Sequence, residues 1–151
     1  VAEDAKLQFA FVRRGILPEL ASHVIVARVA GFSNAADLLL SGRVLRGREA
    51  AELGLATEAL PADEVLPAAQ ARARDIAVNA APMSVAIAKR LLWEGITSSV
   101  PEMLEREGEL FAWLGNQPDA REGVVSFLEK RPPEWKLSVS RDLPEQLRKK
   151  D

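Results

Sequence analysis

The sequence predicts a mostly helical domain with a small amount of β-structure at its start. Three observations carry this. Stretch after stretch shows apolar residues at helical spacing, most of these stretches are bounded by recognisable start and stop residues, and only two short runs read as strands.

The elements follow in order. AKLQFAFV, residues 5–12, is the opening strand. Pro18 suits a first helical turn and leads PELASHVIVARVAG, apolar at Leu20, Val24 and Ala27, with Gly31 as the stop. Ser33 or Asn34 is placed to cap NAADLLLS, which Gly42 ends. REAAELG gives a third short helix with Gly54 at its end, and LATEAL, residues 55–60, is the second strand. Asp63 caps a long alanine-rich helix reaching about Asn79, with Pro67 near its first turn, where proline is tolerated.

Ala81-Pro82 then restarts the chain as PMSVAIAKRLLWEG, apolar at Val85, Ala88, Leu91 and Leu92. Ser99-Val-Pro-Glu102 reads as a capping box ahead of MLEREGELFAWLG. Pro118-Asp119 opens AREGVVSFLEKR, and RPPEW ends it, because residues before proline leave the helical region. The tail after Trp135 reads as polar and extended.

Composition bounds the chemistry. The chain has 151 residues, enough for one domain with a core, and 48% hydrophobic with 28% charged residues is ordinary for a globular protein. A net charge of −2 offers no electrostatic case for nucleic acid or an anionic membrane. No apolar run approaches the roughly 18 residues of a spanning helix. Without cysteine, disulfides and thiolate chemistry are excluded, which suits a cytoplasmic location. His23 is the only histidine, so a histidine-based metal cluster is not expected. Tyrosine is absent too, leaving carboxylates, His23 and lysine for acid–base work. Two short strands lack the neighbours that strands need. With Val1 rather than Met at the start, the expectation is the later part of a larger protein, or a chain resolved only in part.

Glu19 is the candidate acid–base group. As a carboxylate at the second helical position it would favour the helix dipole by about 0.3–1 kcal/mol. Its flanks Ile16, Leu17 and Leu20 are apolar, and a carboxylate desolvated by such neighbours exchanges protons near neutral pH. His23, four residues on, would share its face of a regular helix. Arg13 and Arg14 suit either an anionic ligand or solvent at a strand end. GRVLRG, residues 42–47, is not a phosphate loop, since it lacks the lysine, the Ser/Thr and the spacing. Trp93, Trp113 and Phe111 sit at helical spacings that suit core or interface. Phe127 to Arg131, FLEKR, suits an elongated ligand ending in phosphates and equally an ordinary amphipathic helix.

Four segments in this order resemble the second half of the enoyl-CoA hydratase/isomerase (crotonase) family: AKLQFAFVRRGILPELAS, SGRVLRGREAAELGLATEALPADEVLPAA, NAAPMSVAIAKRLLW and PDAREGVVSFLEKRPPEW. The resemblance implies an α/β fold of repeated ββα turns, the crotonase-like spiral, of which this chain would be mostly the C-terminal α-helical part. Residues 1–60 would end the spiral core, 61–135 would form the helical trimerisation region, and 136–151 an extended tail. It implies an acyl-CoA thioester as substrate, no cofactor beyond that coenzyme A, no metal, and assembly as homo-trimers or hexamers, without nucleic acid or membrane.

Such enzymes polarise the thioester carbonyl with two backbone N–H groups. Both are expected outside this sequence, so the chain alone should be inactive. Counting back from Gly15 places Phe11 where a hydratase glutamate would stand, which argues against ordinary hydration. Gly15-Ile-Leu-Pro-Glu-Leu-Ala-Ser22 instead matches the G-x-x-P-E-x-x-S pattern of the Δ3,Δ2-enoyl-CoA isomerase branch and puts the proton-carrying glutamate at Glu19. Phe127 and Lys130 match a segment that helps cover the coenzyme A. The alternatives are an enoyl-CoA hydratase using an upstream glutamate, or a non-catalytic acyl-CoA-binding assembly module.

Overall fold

The computed structural model describes residues 1–148, which divide into two compact units, residues 1–70 and residues 71–148. It is mostly helical with one two-stranded sheet, as the sequence predicts.

In the first unit, β1 (Lys6–Gln8) pairs antiparallel with β2 (Val44–Arg46), and Leu7 faces Leu45 in the register. The opening strand is shorter than expected. Its partner has only three residues and is preceded by Gly42, whose left-handed conformation ends a helix, so pairing stops where the Gln8 amide donates to the Gly42 carbonyl (2.7 Å). Beyond it, Ala10–Arg14 coils into a 3-10 helix closed by left-handed Gly15. Residues 55–60 are not a strand: only Leu60 makes a bridge, to Ala2, so β2 in the GRVLRG stretch takes the place expected for LATEAL.

Helix α1 (Ser22–Ala30) starts four residues after Pro18, not at it. Leu20 (φ 56°) and Ala21 (φ 54°) are left-handed, and no right-handed helix can run through them. Gly31, at φ 81°, ends α1 and precedes α2 (Phe32–Ser41). Asn34 therefore does not cap α2 from outside; its side chain donates back to the Ala30 carbonyl (2.8 Å). Val26, Ala30, Ala35, Leu38 and Leu39 from this helix pair pack with Leu45 of β2 and Ala50 of α3 (Gly47–Glu52) into one core.

Gly47 is fixed by close approach. A Cβ there would sit 1.8 Å from the Ala2 carbonyl oxygen, and the Gly47 N–H donates to Ala5 O (3.0 Å). Helix α4 (Ala62–Asn79) has Asp63 and Glu64 inside its first turn, where they face the positive end of the dipole, so Asp63 lies within the helix rather than capping it. No residue of α4 is buried.

In the second unit, α5 (Pro82–Glu94) and α7 (Pro118–Glu129) begin on proline as read from the sequence. Helix α6 (Val100–Gly115) carries the complete capping box of Ser99 and Glu102. Of the expected extended tail, residues 136–151, the described part is not extended throughout, and residues 149–151 lie outside the described residues. Residues Val139–Asp142 form a short helix, α8, and Glu145–Leu147 a 3-10 turn. Their apolar members were spaced too widely among polar residues to show a period, yet Leu147 is only 2% exposed and closes a core with Met83, Ile87 and Leu110.

Replacing Gly47 by alanine should destabilise the first unit by about 1–3 kcal/mol, the usual cost of overpacking against atoms that cannot yield. Denaturant unfolding of the G47A protein measures this, and an unchanged midpoint would show that the Ala2 backbone moves aside.

Candidate functional site

Glu19 lies in the loop before α1, not at a second helical position. Its carbonyl accepts two hydrogen bonds from Ser22, one from the backbone N–H (3.1 Å) and one from the hydroxyl (2.6 Å), and Ser22 is buried. Two successive left-handed residues without a glycine cost roughly 1–2 kcal/mol each, so the surrounding turn is held by its bonds rather than by residue preference. The apolar flanks do not enclose the carboxylate. Ile16, Leu17 and Leu20 are 59%, 73% and 84% exposed, and Glu19 itself is exposed. Because Glu19 precedes the helix, the one-turn spacing to His23 no longer brings them to one helical face.

The nearby arginines are structural or open to solvent. Arg13 Nε donates to Ser41 O (2.8 Å), satisfying a carbonyl at the end of α2, while Arg14 is exposed beside it at the end of the 3-10 helix. Arg43 in the glycine-flanked stretch bridges Asp37 and Glu49, each at 2.6 Å. The Glu49 hydrogen bond is the main reason that guanidinium is held still more firmly protonated, and Arg43 in turn holds the Glu49 carboxyl below its usual range.

Phe127 and Lys130 come together at the end of α7 in the second unit. Phe127 is 80% exposed. Lys130 turns left-handed (φ 53°) to end the helix, with its N–H donating to Phe127 O (3.3 Å). Lys130 makes no ion pair among the described residues, whereas Arg131 is held by Glu122 and Glu129 and is not free for a ligand. Phe127 lines an apolar groove of about 720 Å³ with Phe111, Leu128 and Trp135. Trp113 packs against the core of this unit, while Trp93 and Phe111 are exposed.

Sequence reasoning passed over the residues that shape this groove. Buried Asp119 accepts from the backbone N–H groups of Lys136 (2.7 Å) and Leu137 (3.2 Å), and Glu122 accepts from that of Glu134 (2.7 Å). They return residues 134–137 along α7, and the Trp135 indole donates to Val78 O (3.2 Å). The only advance signal was a pair of acids in the first turns of a helix followed closely by a proline-stopped segment.

A family model described as "Enoyl-CoA hydratase/isomerase" matches residues 1–138. The chain belongs to the enoyl-CoA hydratase/isomerase family. An enoyl-CoA hydratase of Alternaria alternata is 38% identical over 135 residues, covering 89% of this chain and 45% of that protein. The crystal structure of a probable enoyl-CoA hydratase/isomerase from Mycobacterium abscessus superposes with a TM-score of 0.86 at 40% identity, over 89% of this chain and 55% of that one. That of an enoyl-CoA hydratase from Bacillus anthracis gives 0.84 at 30% identity, over 89% and 52%. The chain thus spans about half the length of the curated relatives it matches, and its helical architecture with a small sheet is that of a C-terminal part of the crotonase fold. Among the described residues, no group of acids and histidine suits a metal ion, and no helix is long and apolar enough to cross a membrane.

Glu122 sets an acid limit on the second unit. The Arg131 side chain and then the Glu134 N–H hold its carboxyl down from 4.5 to about 2. A carboxylate whose folded pKa is depressed stabilises fully above its unfolded pKa, and that contribution is lost as pH falls from about 4.5 towards about 2. The melting-temperature difference between the parent and Glu122→Gln proteins should therefore be largest near neutral pH and shrink across that window. A difference that stays constant with pH would contradict this.

Proposed function

We propose that the protein acts on acyl-CoA thioesters as an enoyl-CoA isomerase, with Glu19 as its proton carrier. The observation that carries this reading is the G-x-x-P-E-x-x-S segment in a member of this family, folded so that one carboxylate stands among exposed apolar side chains in a turn pinned by Ser22. The Glu19 carboxylate takes a proton from C2 of a 3-enoyl-CoA, and the released electron pair passes to the thioester oxygen as an enolate. As the dienolate collapses, the thioester carbonyl re-forms, the C2–C3 double bond is made, and the C3–C4 π pair takes the proton at C4 from the same carboxylic acid, which returns to a carboxylate. A single group suffices because it serves as base and then as acid. The two N–H donors for the thioester oxygen are expected from beyond these residues. Coenzyme A, covered by Phe127 and Lys130, enters only as part of the substrate. Residues 61–135 would build the homo-trimer or hexamer of a cytoplasmic enzyme.

Dryness must then come from what binds. Ile16, Leu17 and Leu20 are exposed in this chain, and covering them with an acyl group or further protein would desolvate Glu19.

In the full-length gene product, Glu19→Gln keeps the side chain's shape and removes the base. Isomerase turnover of a 3-enoyl-CoA should fall by about 10²–10⁴-fold; turnover within about threefold of the parent would exclude this role.

A second reading rests on the relatives' names, several of which say enoyl-CoA hydratase. In that case an acid other than Glu19 activates water. Solvent oxygen appearing at C3 of a 2-enoyl-CoA, with turnover insensitive to Glu19→Gln, would select it.

A further inference from the structure

The match to the family model ends at residue 138, yet the chain beyond it is folded onto its own unit. The Ser138 N–H donates to Asp142 Oδ2 (2.7 Å) and starts α8. Leu143 packs at the edge of the core, and Pro144 and Leu147 are buried. Leu147 inserts among Met83 and Ile87 of α5 and Leu110 of α6. Leu143, which follows α8, and Leu147, which ends the 3-10 turn, thus both pack against the core of this unit.

The polar side of the same groove grips the backbone. Arg90 Nη1 donates to Leu147 O (2.7 Å), and Arg106 Nη2 donates to Gln146 O (3.1 Å). Both guanidinium groups are held by one carboxylate, Glu94, which takes Arg90 Nε at 2.8 Å and lies 3.5 Å from Arg106 Nε. Two arginines on successive carbonyls recognise main chain in a fixed direction, which nonspecific apolar collapse does not require. The remaining residues of the segment, including Ser140, Arg141, Glu145 and Gln146, are exposed and add no burial.

We propose that residues 139–148 are a strap which occupies the groove between α5 and α6 and opens as a unit. Opening exposes Met83, Ile87 and Leu110 without unwinding the helices that carry them, because the strap contributes one fully inserted side chain and short elements only.

Native-state hydrogen exchange on the full chain tests this. Amides of the strap should exchange together, about tenfold or more faster than those in the middle of α5 and α6. Leu147→Ala should raise strap exchange by a further factor of about ten or more while α5 and α6 stay near their parental rates. The pair Arg90→Gln with Arg106→Gln should do the same, which keeps the test open if Leu147→Ala fails to fold. Strap amides that exchange in step with α5 and α6, or that ignore both sets of substitutions, would overturn the proposal.

Discussion

Two carboxylates near the start of α7 organise the second unit. Asp119 and Glu122 accept the backbone N–H groups of residues 134, 136 and 137, donors that a proline-interrupted segment cannot satisfy within itself. A buried acid without such partners would be costly, and a returning chain without acceptors equally so. Their mutual satisfaction fixes the direction of everything that follows. Trp135 is set over Gly123, where a Cβ would stand 3.5 Å from the indole, an ordinary contact, and it becomes a wall of the groove that Phe127 also lines. Leu137, Leu143 and Leu147 then reach the core of α5 and α6 in turn. Arg131 completes the arrangement by gripping Glu122 with both terminal nitrogens, which removes it from any role in binding an external anion.

The first unit is governed by sterics more than by charge. Gly47 lets the chain around Ala2 and Ala5 lie against the start of α3, and the short β1–β2 pairing is laid down beside that contact. Gly42 matters for a second reason: it combines a left-handed φ of 56° with a Phe9 carbonyl 3.1 Å from where its Cβ would be. The two glycines of GRVLRG thus frame a three-residue strand rather than a ligand loop. On the far side of the core, Ser22 holds the Glu19 carbonyl while Leu20 and Ala21 accept an unfavourable backbone. Buried Ser22 pins the backbone of that turn through the Glu19 carbonyl, while the Glu19 side chain itself is exposed.

What could be read in the sequence was what local chemistry encodes. Proline at the first position of α5 and α7, the Ser99–Glu102 box of α6 and the stops at Gly31 and Gly42 each act within one helical turn, and each is where expected. The start of α1 was not legible, because Pro18-Glu19 imitates a helix start and nothing about leucine or alanine announces a left-handed pair. The three-residue β2 was too short to show alternation. The tail hid because its anchors, Leu137, Leu143 and Leu147, depend on a groove formed by residues about 35–60 positions earlier in the chain. Glu19 stood out for its position and apolar flanks, and Phe127 and Lys130 within FLEKR for their pattern, before the family resemblance gave them roles; their exposure and the turn that holds Glu19 became visible only in three dimensions.

That exposure bears directly on the chemistry. A carboxylate in water stabilises its charge too well to pull a proton from a carbon acid, and desolvation is the ordinary way to raise its basicity. In this chain Ile16, Leu17 and Leu20, the apolar neighbours of Glu19 in sequence, face solvent. Under the proposed function, catalytic competence would be conditional on occupation: the same acyl group that brings the reacting carbon would exclude the water. A carboxylate prewrapped in the core would instead carry its burial cost at all times.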